Sequence, residues 1–286
     1  CSRCRPADSR PPEPYRVPFL RSDLRVWLAI TLFLVPLRSG SATLPEGDEA
    51  WARRAENVDG QLAHPAQIEV AIVAYRQVVA SEPSHPEGRW KLLRALHYAI
   101  DFTSLSEERK HSFTVEAIAL ARSAEAILDS VEHSDSDRAR LYFWSAVAFG
   151  VRARNVGPLT IVREGIAGRM HQYALRSMAL DATVDRGGAQ RLLSRLHASV
   201  PRLPLISGWV DRSQILPLAR QAFELDTAHL GNRLILAQAL LEQSSERSAE
   251  ARRMLKQITA TEPGHNNRVE YLAIQRQARV KLGEIV

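Results

Sequence analysis

The chain has 286 residues, of which 45% are hydrophobic, 24% charged and 6% aromatic, and its formal net charge is +6. Abundant Ala, Leu and Arg beside only 14 Gly and 15 Pro support a sizeable buried core and argue for helices and against a β-sandwich or barrel. The charge does not speak for nucleic acid, because seven arginines against Asp8, Glu13 and Asp23 fall within residues 1–42 and leave the remainder nearly balanced.

Residues 1–16, with Cys1, Cys4 and a proline-rich stretch, read as a non-native or disordered leader. Residues 17–42 read as a signal peptide. Arg21 and Arg25 precede an apolar run over 26–37, and the small residues Gly40 and Ala42 follow, with cleavage expected after Ala42. The run falls well short of the roughly 20 residues needed to cross a bilayer. Both cysteines lie in the leader, so residues 43–286 are expected to carry neither thiol chemistry nor a disulfide, and a lone Cys-x-x-Cys is half a zinc site. No cysteine follows the apolar run to accept a lipid anchor.

From residue 43 onward helix signals follow one another without a convincing strand. The first hairpin pairs about 47–60 with 66–81, its second helix opening at Pro65, where a missing N–H costs nothing. An amphipathic helix runs from Trp90 through Tyr98, and Ser104 and Ser106 offer the start of the next, Ala-rich through about Leu128. Asp135 and Asp137 precede a helix over about 138–150. Gly157-Pro158 breaks the chain before a long helix to about Leu180. Gly187-Gly188 forms the tight start of a helix ending near Val200. A helix-poor stretch reaches Trp209, Asp211 caps a helix to about Asp226, and Arg233–Glu242, Ser245 to about Thr261 and Asn267 to about Leu282 complete the series.

A phrase recurs through these helices: small-x-x-x-bulky-x-x-small-x-x-apolar, closed by a turn residue. It reads most clearly as Ala71–Tyr75–Val78 before Pro83 and Ala251–Leu255–Ile258 before Pro263. Looser copies are Ala117–Ala121–Ala124–Ile127, Met170–Ala174–Ser177–Leu180 and Ile215–Ala219–Ala222–Leu225. Small residues at this spacing let paired helices approach closely, which is the pattern of helical hairpin repeats. The expected fold is therefore all-α, a tetratricopeptide-like α-solenoid of about five hairpins plus a C-terminal capping helix over 43–286. Its repeats are longer than the usual 34 or so residues except for the last, and insertions on one face of such an array often build a binding surface.

Reaction motifs are missing. No His-Glu-x-x-His, Gly-x-Ser-x-Gly or phosphate-binding glycine loop occurs, so no catalytic residue, cofactor or metal is assigned. The densest aromatic group is Tyr142, Phe143, Trp144 and Phe149, whose consecutive members cannot share one helical face. Core packing and a ligand-cavity wall are both open for it, as they are for Trp209.

The segment from Gly188 through Arg191, Arg195, Leu196, His197, Pro201, Arg202 and Pro204 to Gly208-Trp209-Val210 resembles exported bacterial proteins of the TRAP-transporter T-component (TatT) family. So do its continuation through Ala222, His229, Gly231-Asn232-Arg233 and Leu240, and the earlier run Leu141-Tyr-Phe-Trp144-Ser-Ala146. The likeness spans roughly 135–245. It implies a periplasmic, non-enzymatic helical-repeat protein around a central pore or cavity, linked to TRAP-type substrate-binding proteins and handling an apolar small molecule. On this reading Tyr142, Trp144 and Trp209 form the cavity wall or lid, and Arg202 and Arg233 anchor a carboxylate or a partner's backbone. The alternative is a generic exported tetratricopeptide scaffold in an envelope complex, with no small-molecule cavity. Neither reading involves nucleic acid, and the membrane enters only through an uncleaved signal.

Overall fold

The computed structural model describes residues 43–130, 133–243 and 248–284. The leader, the signal and both cysteines fall outside them. The described chain is all-α, with thirteen α-helices and a two-stranded ribbon. In order these are α1 (Leu44–Ala52), β1 (Val58–Asp59), β2 (Leu62–Ala63), α2 (Ala66–Ser81), α3 (Pro86–Phe102), α4 (Glu107–Arg122), α5 (Ala124–Ser130), α6 (Asp135–Arg154) and α7 (Pro158–Arg163). There follow α8 (Ile166–Leu180), α9 (Gly188–Ser199), α10 (Ile215–Leu225), α11 (Leu230–Gln243), α12 (Ser248–Ala260) and α13 (Arg268–Glu284). None of the described helices is long and apolar enough to cross a membrane.

Polar side chains start several of these helices by taking up backbone N–H groups that have no intrahelical acceptor. Ser106 Oγ accepts from Arg109 N at 3.3 Å, Ser134 Oγ from Asp137 N at 3.2 Å, and His85 Nδ1 from Gly88 N at 3.2 Å. The repeated small-and-bulky phrase supplies the buried faces. Ala71, Tyr75 and Val78 are buried, as are Ala251, Leu255 and Ile258, and Ala174, Ser177, Ala219 and Ala222 are fully covered.

Most helices pack on their neighbour in the chain, α1 on α2, α2 on α3, α3 on α4 and α8 on α9 through α12 on α13, while α6 packs on α8 past the short α7. The longest helix, α6, is the hub, since it packs on α3, α4 and α8. Close approach explains the small residues. A Cβ on Gly47 of α1 would lie 2.4 Å from the ring of Tyr75, which is fully buried and donates its hydroxyl to Asp48 Oδ1 at 2.7 Å. Gly47→Ala would gain about 1 kcal/mol on helix propensity alone. Here it should instead destabilise by about 1–3 kcal/mol through overpacking. A lowered urea midpoint at constant slope would check this, and a raised one would contradict the α1–α2 contact.

The structure differs from the sequence reading in three places. The first helix ends at Ala52 rather than near 60, and a ribbon pairing Val58 with Ala63 and Asp59 with Leu62 follows it. Asn57 and Gly60 turn the chain there with positive φ. The helix expected through Leu128 breaks at Ser123, and the one expected from Pro158 to Leu180 breaks at Gly165, whose φ of 62° stops α7 before α8 begins. The remaining helices lie within a few residues of expectation, although 244–247, where the start at Ser245 falls, is outside the described residues.

The helix series curls back on itself. Val269 of α13 is fully buried in the same hydrophobic cluster as Ala50, Ile68 and Leu96. Arg54, just past α1, donates through Nη2 to Glu270 Oε1 and to Asn267 Oδ1, both at 2.8 Å, and through Nη1 to Trp51 O at 3.2 Å. Its side chain is 7% exposed and that of Glu270 is 22% exposed, so the pair that joins the first and last helices is largely shielded from water.

Candidate functional site

This run of helices holds a cavity of about 1220 Å³, open to solvent on one side and walled by residues of α1, α3, α6 to α9, α11, α13 and the segment 200–207. A smaller cavity of about 480 Å³ shares Arg195, Ser199 and Ile235 with it. Two kinds of side chain dominate the larger one.

The first is a ladder of rings. Trp51 meets Tyr98 at 5.7 Å, Tyr98 meets Phe102 at 5.4 Å, and Phe102 meets His97 at 5.7 Å. His97 then meets Trp144 at 5.8 Å, which meets Phe143 at 5.1 Å. All six rings line the cavity. Tyr98 and Phe102 share a face of α3 because they are four residues apart, and α6 continues the ladder. Tyr98 and Phe143 are almost fully buried and Arg94 and Arg54 stack on Trp51, so His97, Phe102 and Trp144 are the rings left partly exposed to an apolar guest.

The second is a group of six arginines, Arg54, Arg94, Arg154, Arg186, Arg191 and Arg195, against three carboxylates, Asp101, Asp185 and Glu270. Most have partners. Arg154 Nη2 donates to both oxygens of Asp101, at 2.5 and 2.7 Å. Arg94 stacks at 3.9 Å from the Trp51 ring centroid, where Arg54 also sits at 4.3 Å, and burial lowers its pKa. Arg186 reaches Asp226, at 3.4 Å. Arg191 donates to Asn232 Oδ1 at 2.6 Å, to the carbonyls of Asp185 and Arg186 at 3.0 and 3.1 Å, and to the Asp185 carboxylate. Arg195 has no hydrogen bond or ion pair among the described residues. Surrounding protein, then the charges of Arg191 and Arg154, lower its pKa, yet a guanidinium remains charged at neutral pH.

The turn beneath Arg191 is strained. Asp185, Arg186 and Gly187 have φ of 48°, 55° and 89° in succession, and a Cβ on Gly187 would lie 3.0 Å from the Ala222 backbone. Two non-glycine residues in this region cost on the order of 1 kcal/mol or more each. The fully buried Asn232 holds the turn by donating Nδ2 to Arg186 O at 3.0 Å, to Ala222 O at 2.6 Å and to Asp226 O at 2.9 Å.

His97 Nδ1 lies 3.5 Å from Asp101 Oδ2, beyond a hydrogen bond, while Asp101 is already bound twice by Arg154. Burial lowers the His97 pKa, so the ring is a neutral wall element at pH 7. Among the described residues no cluster of three or more His, Cys, Asp or Glu is arranged to hold a metal ion.

The sequence candidates separate. Trp144 is on the cavity wall, half-buried. Tyr142 is a correction: two residues earlier on α6 it points to the other side, buried against Tyr173 at 5.5 Å with Arg176 over its face. Trp209 is a second correction, stacked 4.0 Å from His171 and edge-on to His197, so that it fastens the 201–209 segment to α8 and α9 instead of facing the cavity. Arg202 is exposed beside the cavity-lining Pro201 and Leu203. Arg233 lies away from the wall and donates Nε to Thr227 O at 2.6 Å, bracing the turn before α11. Sequence reasoning missed Trp51, Phe102, Arg94 and the functional weight of Arg191 and Arg195. The last two stand four residues apart on α9, a spacing that could have marked them.

Buried imidazoles give the fold a pH response. Burial pushes His171 and His229 down to about 4 and lowers His197 as well. Unfolded, each would protonate near 6.5. Stability should therefore be full above about 6.5 and fall as pH drops toward 4. His229 would contribute up to about 3 kcal/mol of this loss and the more exposed His171 less. Urea midpoints between pH 7.5 and 4 check the sign, and a flat profile would contradict the burial of these rings.

Fold and site together define an all-α protein with a large cavity lined by aromatic rings and arginines. No family model matches the chain, and no curated protein matches it.

Proposed function

We propose that this is a non-enzymatic, tetratricopeptide-like α-solenoid that takes up a small organic molecule with a substantial apolar part in its central cavity. The observation that carries this reading is the ladder of six rings along a cavity of about 1220 Å³, a size and lining suited to a small-molecule site. Nearest-neighbour helix packing and the buried small-residue phrase support the repeat architecture. Export to the periplasm and a role as an accessory component of TRAP-type transport rest on the resemblance over 135–245 and on the apolar run at 26–37, which lies outside the described residues.

A protein partner, such as a periplasmic substrate-binding protein, is the second part of the reading, and one observation favours it. Leu159, Leu205 and Ile206, on two segments that also line the cavity, are 87%, 104% and 54% exposed and offer apolar side chains to a partner.

Thermal denaturation with and without apolar small molecules tests the proposal. A ligand at 100 times its Kd adds about 2.7 kcal/mol, or a rise in Tm of about 5–10 °C for a chain of this size. Trp144→Ala should abolish that rise, whereas Trp209→Ala should lower the melting temperature and leave the rise intact. A chain that responds only to a protein partner would favour the scaffold alternative.

A further inference from the structure

We propose that the cavity ligand is an amphipathic organic anion, its carboxylate-like head held by Arg195 and its apolar body laid along the ring ladder from Trp144 toward Phe102. This rests on the cavity reading above and adds a charge to the ligand.

The argument begins with the balance of charge on the wall. Three carboxylates line the cavity and each is engaged: Asp101 with Arg154, Asp185 with Arg191, and Glu270 with Arg54. Two of the six arginines have no ion pair: Arg94, which is stacked on Trp51, and Arg195. Arg195 stands one helical turn from Arg191 on the same face of α9, within electrostatic range of Arg191 and Arg154, and has no counter-ion among the described residues. A cation held close to two others is unfavourable unless an anion joins them. Arg195 is exposed and lines the cavity, so its guanidinium is open to an incoming ligand. An incoming carboxylate would gain charge-assisted hydrogen bonds there.

The surroundings select the rest of the molecule. Leu192 and Leu196 flank Arg195 on α9, and Trp144 and Val147 belong to the same wall. A small hydrophilic anion would satisfy Arg195 and leave this apolar surface wet. A neutral hydrocarbon would cover the rings and leave the guanidinium without an anion. A molecule with one anionic end satisfies both.

Isothermal titration calorimetry of the full chain with decanoate and with decanol separates the possibilities. Decanoate should bind at least about tenfold more tightly at low salt, and the gap should narrow as salt is raised. Arg195→Leu should erase the preference while keeping decanol affinity, and Arg195→Lys should retain part of it. Because Arg195 holds nothing in the fold, both variants should melt like the parent. Equal affinity for the two compounds, or a preference that survives Arg195→Leu, overturns the anion inference and leaves the cavity reading standing. Binding of neither compound overturns the cavity reading and this inference with it.

Discussion

Replacing Asn232 with leucine should destabilise the protein by about 3–5 kcal/mol, the largest effect expected of a single polar substitution here. The side chain is fully buried, serves three carbonyls through Nδ2 and receives Arg191 on Oδ1. Leucine is close to it in size, so the loss would come from unpaired groups and not from a void. The carbonyls of Ala222, Arg186 and Asp226 would lose their donor, and the left-handed residues at 185 and 186 would lose half of their clamp. Arg191 would then hold the turn alone. A fall in Tm of about 10 °C or more is expected for a chain of this size. An unchanged urea midpoint in Asn232→Leu would mean that the junction of α9, α10 and α11 is held by something other than this amide.

Arg54→Met should cost about 2–4 kcal/mol and loosen the join between the ends of the series. Removing one member of a shielded ion pair leaves the other without compensation, although the partial exposure of Glu270 tempers the cost. Methionine retains much of the aliphatic contact with Trp51, so the variant isolates the charge. Hydrogen exchange should quicken in α1 and α13 and change little in α8 to α10. Uniform exchange across all helices would show that Arg54 does not join the ends of the series. Since Trp51 and Arg54 line the cavity, loosening here should also weaken ligand binding.

The helices were legible because their signals are local. Ser106 and Asp211 lie where capping predicts, and the small-and-bulky phrase marks faces that are indeed buried. The ribbon at 58–63 was missed although Asp59-Gly60 is a turn dipeptide, because two-residue strands carry no alternating pattern to notice. Gly165 could have announced the break before α8, since a glycine after a short helix commonly takes the left-handed cap.

The site was much less legible. Trp144 could be chosen as an aromatic residue near a hub, but its neighbour Tyr142 shows that two residues along a helix reverse the direction of a ring. Trp51, His97, Phe102 and Arg195 come from three helices spread over nearly 150 residues, and only the curl that brings α13 onto α1 assembles them around one space. Nothing in local sequence encodes that curl. It depends on Val269 and Arg54, which are a single apolar position and a single arginine until their partners are known.

The most direct measurement of the central claim is native mass spectrometry of the full chain purified from an exporting host, before and after organic extraction. The cavity reading predicts an adduct of a few hundred daltons or less that extraction removes, lost also from Trp144→Ala but not from Trp209→Ala. A chain that shows the bare protein mass before and after extraction, and stays bare when offered decanoate, would contradict it.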